Sequence, residues 1–433
     1  MAAGPAAALL LLVLGCRSTA EDGDAVVELW ALGREGEVAR EMVADFERDH
    51  AGTRVRVQQI PWSAAHEKLL TAYVGDALPD LFQVGNSWIP ELAALGAIEP
   101  LDDWIARSAS ITVGDDFPGI LDTNVIDGVT YGVPWYVDTR LLFYRRDILA
   151  GAGYAEPPRT WTAWVDAMTR ITSREGPRRY GVLLPLTEWQ APVILALQLG
   201  ATLLRDGDCY GAFSAPAFRD AFAFYVDLFR RGLAPAAGEI QSANLYQDFA
   251  GGYFTFYLSG PWSIGEFDRR LPAALREAWA TAPMPSPDGV KPPVSLAGGA
   301  SLAIYRGSRR KRVAWQLIEY LTEPAQQLRL YRLVGDLPSR RQAWDDPVLS
   351  GNPHARAFWT QLQHVRSTPK IPEWERIASK IGQYAEAVVR NARTSDEALA
   401  ALDAEVDGLL AKRRRLRRCA VPAAERPADG AGR

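Results

Sequence analysis

The most constraining stretch of this chain lies between residues 26 and 95, where strand and helix patterns alternate. Val26-Val27-Glu28-Leu29-Trp30 is short and β-rich. A glycine-bearing loop, 31–36, leads to a run with Val38, Met42, Val43 and Phe46 on one helical face, ending near Gly52. Thr53-Arg54-Val55-Arg56-Val57 alternates with period two and reads as a second strand. Leu69, Leu70 and Tyr73 mark one face of a helix over 65–74. Pro79-Asp80-Leu81-Phe82-Gln83-Val84 is a third strand, breaking at Gly85-Asn86-Ser87-Trp88 into another helix. Strand, helix, strand, helix, strand at this spacing predicts an α/β fold with mainly parallel sheets and right-handed crossovers. Ligands in such sheets sit at the carboxyl ends of strands, here the loops 31–36, 61–63 and 85–88.

The first sixteen residues are of a different kind. Residues 6–15 form an apolar leader that stops at Cys16, after which the chain turns polar. The run is about half the roughly 20 residues a membrane-spanning helix needs, so it reads as a secretory leader. Val13-Leu14-Gly15-Cys16 resembles a bacterial lipobox, in which the Cys is lipidated and becomes the new N-terminus. That resemblance implies an exported protein, in the periplasm or at the cell surface, tethered to the membrane by acyl chains on Cys16. Two features depart from the pattern: Val13 stands where Leu is usual, and residues 1–5 carry no Lys or Arg. The alternative is an ordinary cleaved signal peptide with an incidental Cys.

Beyond the leader 417 residues remain, too many for one ordinary core and enough for two domains. A net charge of -4 gives no electrostatic case for nucleic acid. The four His (50, 66, 354 and 364) are scattered, and no Cys/His cluster has zinc spacing, so no metal is expected. No nucleophile elbow, phosphate-cradling Gly-Lys-Ser/Thr loop or His-Glu-x-x-His occurs. A glycosidase carboxylate pair stays open, because such residues come from anywhere in a sequence. Whether Cys209 and Cys419 pair stays open too. Fourteen Trp stand out: indoles stack on the apolar faces of sugar rings, yet most Trp residues are simply buried. Trp161 and Trp164 fit the inward stripe of a helix capped by Thr160 and are read as core. The run from Lys412 to Cys419 is a basic helix end, opening a disordered tail over 413–433.

Five segments in order resemble the carbohydrate-binding solute receptors of bacterial ABC importers, the group that includes maltose and trehalose/maltose receptors. They are Pro79-Asp80-Leu81-Phe82-Gln83-Val84-Gly85, the stretch from Trp135 to Asp147, Pro158-Arg159-Thr160-Trp161, Gly260-Pro261-Trp262 and Leu337-Pro338-Ser339-Arg340-Arg341. The resemblance spans roughly residues 25–412 and implies a periplasmic-binding-protein-like fold: two α/β lobes, a hinge and a ligand cleft. The first lobe would be 25–138, completed by about 286–345. The second would be 139–285, with C-terminal helices over about 346–412. Carried over residue by residue, the resemblance implies that Glu35 accepts from sugar hydroxyls and that Asn86, Ser87 and Trp88 line the first wall. Tyr136 and Asp138 would contact ligand from the crossover, and Glu188 and Trp189 from the second lobe. Trp262 would stack on the sugar, Gly298 and Gly299 would let backbone approach it, and Arg341 and Trp374 would close the cleft. The expected protein is a monomeric sugar receptor with no catalysis and no cofactor, whose partners are ABC transporter permease subunits. The alternatives are an exported carbohydrate-active enzyme, or a receptor for a non-sugar solute such as a glycerophosphodiester or polyamine. A phosphate ligand would need a cationic cleft, and Arg341 is the one cation among the expected wall residues.

Overall fold

A computed structural model describes residues 25–112, 114–176, 179–186, 188–236, 244–417 and 419. Cys16 and the leader lie outside them, as do 420–433. The chain opens with β1 (Ala25–Leu32), α1 (Gly33–Asp49), β2 (Thr53–Ile60), α2 (Trp62–Val74) and β3 (Leu81–Gly85). The apolar stripe of α1, with Ala39, Met42, Val43 and Phe46 buried, packs on the sheet beside Leu29, Leu302 and Trp315. Gly33 makes the tight strand-to-helix turn with φ of 51°, and a side chain there would strike the Trp62 indole.

β4 (Val133–Asp138) and β5 (Leu141–Arg145) are separated only by Thr139 and Arg140, yet they belong to different sheets. The second half of the chain adds α3 (Trp161–Glu175), β6 (Tyr180–Leu183), α4 (Gln190–Gln198), α5 (Pro216–Arg230), β7 (Phe254–Ser259), α6 (Trp262–Arg270) and β8 (Trp279–Ala282). It then returns with β9 (Gly298–Ile304), α7 (Lys311–Leu321), α8 (Pro324–Val334) and β10 (Leu337–Pro338). The six-stranded sheet runs β10-β4-β9-β3-β1-β2 and the four-stranded sheet β8-β5-β7-β6. Each, with its helices, is one α/β lobe. The second lobe buries Trp161 and Trp164 with Met168, Phe222, Tyr225 and Phe256.

The sheets are mixed rather than mainly parallel. β1–β2, β1–β3 and β7–β6 run parallel. β9 enters antiparallel between β3 and β4, and β10, β5 and β8 also pair antiparallel. The reason is the path: strands that arrive across the hinge, not through a local helix, carry no crossover constraint toward parallel pairing. Besides residues 139–140, the hinge holds Ser295–Leu296, which pair with Val365–Arg366 in a two-stranded ribbon.

The C-terminal elements α9 (Trp374–Val389), α10 (Ser395–Leu409) and α11 (Ala411–Arg417) close the second lobe. Thr394 and Glu397 form a reciprocal capping box that starts α10. Residues 413–417 are therefore helical, not the start of a loose tail. Arg413 is buried near Glu373, the Arg414 guanidinium lies 4.7 Å from the Tyr210 ring, and Cys419 is joined to Cys209 by a disulfide. Clustered Arg read as solvated in the sequence because their acidic and aromatic partners are remote in it.

Candidate functional site

A cavity of about 660 Å³ lies between the lobes, at the carboxyl ends of β1, β3 and β4. Glu35, in the first turn of α1, is only 5 % exposed. The Tyr136 hydroxyl donates to Glu35 Oε1 at 2.5 Å and Gln83 Nε2 approaches the same oxygen at 3.4 Å. Burial raises the Glu35 carboxyl, against these donors, which lower it. Asn86, Ser87 and Trp88 form a turn of 3-10 helix directly after β3. Asn86 Oδ1 accepts from Ser301 Oγ at 2.8 Å, which leaves Asn86 Nδ2 buried without a partner.

At the crossover, Asp138 and Thr139 line the cavity, and Asp138 Oδ1 and Thr139 Oγ1 lack partners. Desolvation raises the Asp138 carboxyl; Arg140 works against this and Glu188 with it. Glu188 is not in the cavity wall but ion-pairs with Arg140 at 3.4 Å from behind it. Trp189 is in the wall, and Trp374 braces it edge-on at 5.3 Å.

Trp262 opens α6 and its indole folds back over Gly260, where any Cβ would collide with the ring. The Arg140 guanidinium covers that ring at 4.6 Å from its centroid. Gly298 and Gly299 line the cavity at the start of β9. Gly299 has φ of 131°, and a side chain there would run into the Tyr136 carbonyl of the paired strand.

Besides Glu188, two further expected cleft residues stand elsewhere. Arg341 is exposed and stacks over Trp359 at 5.7 Å, with its N–H donating to the Asp115 carbonyl. The chain leaves the cleft through β10, so it is the residue before the Leu337-Pro338 motif, Asp336, that lines the cavity. Trp374 is fully buried at the start of α9, and its neighbour Glu375 reaches the wall instead. Sequence reasoning reached Arg34 and Trp62 only through their loops, 31–36 and 61–63, and missed Gln190, Tyr246, Glu266 and Arg270. The signal for two of them was present: Glu266 and Arg270 follow Trp262 at helical spacing and share its face.

The lobes touch across the cavity mouth. Arg34 of α1 pairs with Glu266 of α6 at 2.9 Å, and Ser87 lies close to the Glu375 carboxyl. Glu266 also holds Arg269 and, at 2.6 Å, Arg270, which together keep its carboxyl below the usual range despite desolvation. The cleft cations are thus Arg34, Arg140 and Arg270, not Arg341, and each contacts a carboxylate, Arg34 and Arg270 sharing Glu266. No metal-ligating cluster is present among the described residues.

What remains open in this wall is a set of uncharged or carboxylate atoms: Asn86 Nδ2, Asp138 Oδ1, Thr139 Oγ1, Gln190 Oε1 and Glu375 Oε1, all buried and unpartnered. Buried polar atoms are ordinarily hydrogen-bonded, so donors and acceptors converging around a cavity describe a polar, hydroxyl-bearing guest. The indoles of Trp62, Trp88, Trp189 and Trp262 line the same cavity and bring apolar surface to it.

A two-lobed α/β frame with a cleft of this kind defines a solute receptor, and the chain belongs to the bacterial extracellular solute-binding protein family, whose model matches residues 30–328. The chain is similar to the sugar-binding protein MalE from Xanthomonas citri, with 47 % identity, a TM-score of 0.86 and coverage of 91 % of this chain and 99 % of that one. It is 26 % identical to the diacetylchitobiose binding protein DasA of Streptomyces coelicolor, over 83 % of each chain. Its fold is shared with UgpB from Mycobacterium tuberculosis in complex with glycerophosphocholine, at 21 % identity and a TM-score of 0.76, covering 90 % of this chain and all of that one.

Proposed function

We propose that this protein captures a neutral mono- or oligosaccharide in the interlobe cleft and delivers it to the permease subunits of an ABC importer. It works as a monomer, tethered by a lipid on Cys16, without catalysis or cofactor. The observation that carries the reading is the wall itself: unpartnered hydrogen-bonding atoms beside indole faces, with every wall arginine already in contact with a carboxylate. With three arginines against five acids in the wall, the cleft is a poor fit for a phosphodiester ligand. The sugar-binding names of similar proteins support the same reading.

The test is tryptophan fluorescence of residues 17–433 titrated with mono- and disaccharides. A saturable shift at micromolar concentration for one sugar class supports the proposal. A flat response across neutral sugars, from a folded protein, overturns it. Product formation from a bound sugar would move the reading to an enzyme.

A further inference from the structure

Two acids meet in the cleft wall without a cation between them. Glu35 and Asp336 line the same cavity, are each 5 % exposed and stand within hydrogen-bonding reach of one another. Among the described residues neither makes an ion pair; Arg34, the nearest cation, is committed to Glu266. Two carboxylates cannot hydrogen-bond without a proton, and two adjacent buried charges of one sign are strongly disfavoured.

The surroundings decide which acid keeps the charge. Glu35 lies in the first turn of the 17-residue α1, where the helix dipole favours an anion. It also receives Tyr136 Oη and Gln83 Nε2. Asp336 stands just past the C-terminus of the 11-residue α8, beyond Gly335 with φ of 94°, where the dipole opposes an anion. Among the described residues no other donor reaches it. The remaining titratable or charged neighbours are Asp138 and the neutral Tyr136 on β4, and Glu266, Arg269 and Arg270 on α6, which packs beside Gly335. Asp138 adds a further like charge, and the arginines of α6 are held by Glu266.

We propose that Glu35 and Asp336 share a single proton, with Glu35 the carboxylate and Asp336 a neutral acid, making Asp336 an uncharged hydrogen-bonding group of the ligand cleft. The role toward ligand rests on the reading of the cleft given above; the shared proton does not. Burial pushes both carboxyls up, and Asp336 well above its ordinary value, in agreement with this assignment. A neutral acid beside a carboxylate lets one wall position offer acceptor oxygens to adjacent hydroxyls at the cost of one charge, not two.

The test is infrared spectroscopy of unliganded residues 17–433 at pH 7, comparing the natural chain with Asp336→Asn. The carbonyl stretch of a protonated carboxyl should be present in the first and lost in the difference. Identical spectra in that region overturn the proposal. In Glu35→Gln the side-chain amide can donate to Asp336 and allow it to ionise, so the band should titrate away at lower pH than in the natural chain. A band unmoved by Glu35→Gln would mean that Asp336 is an isolated desolvated acid and would refute the sharing. Both spectra are read without ligand, so a failed sugar titration does not affect them.

Discussion

Asp116→Asn should stabilise the protein at neutral pH and leave it unchanged in acid. Asp116 is 4 % exposed at the rear of the first lobe, bridging by backbone to Arg340. Desolvation raises its carboxyl from 3.8 to about 6, although Ser339 and Arg340 pull it down and Asp115 pushes it up. For an acid whose folded pKa is raised, the unfolded chain gives up the proton first. The stability present below the unfolded value of 3.8 is therefore lost as pH rises through about 6, and the loss is complete above it. A rise of that size costs the folded state about 3 kcal/mol once the group is ionised. Asparagine is isosteric with the neutral acid and does not titrate, so it should recover up to that amount at pH 7.5 and nothing near pH 3.5. Urea unfolding of both chains at the two pH values reads this directly. A gain of equal size at both, or a variant less stable at pH 7.5, would refute the reasoning: the cost would then not lie in ionisation.

Four further outcomes are expected. Trp262→Ala removes a sugar-stacking face and should weaken sugar binding by about 1.5–3 kcal/mol, roughly ten- to a hundredfold in Kd by calorimetry. Glu266→Gln breaks the cross-cleft pair with Arg34, which is part-exposed; about 0.5–1 kcal/mol, or two- to fivefold in Kd, should be lost. Arg341→Ala should leave Kd within roughly twofold, since its guanidinium stacks on Trp359 outside the cleft. Cys209→Ser should lower the stability read by urea unfolding by about 2–4 kcal/mol, and a thiol assay on the natural chain after Cys16 should find none free.

What the sequence revealed and what it hid follow one physical division. The strands at 26–32, 53–60 and 81–85 announce themselves by local periodicity, and so their loop ends, with Glu35 and Asn86–Trp88, could be placed in the wall. The Gly-Pro-Trp turn was placed by its resemblance to the family's motif, and the structure adds that the Trp262 indole lies over Gly260. Pairing across the hinge carries no local signature: nothing in 298–304 says that it enters antiparallel between β3 and β4. The same holds for Asp336, whose meaning comes from Glu35 far away in the chain, so attention fell on Arg341 at the wrong end of its motif. Trp374 and Glu375 show how fine the limit is. Trp374 was reached through the resemblance alone, and which of two adjacent residues faced the cleft depended on the packing of Trp374 against Trp189.

β9 also governs the order in which this molecule can come into being. It lies in the interior of the first sheet, with β3 on one side and β4 on the other. A chain emerging from synthesis or from an export channel, and stopped before Gly298, holds three strands and one strand with a one-strand gap between them. The N-terminal half therefore cannot close into a finished lobe ahead of the rest. Folding waits for contacts of very large sequence separation, which is slow. A receptor exported as an unfolded chain would be served by such a delay, because the segment that completes its first lobe is among the later parts to emerge.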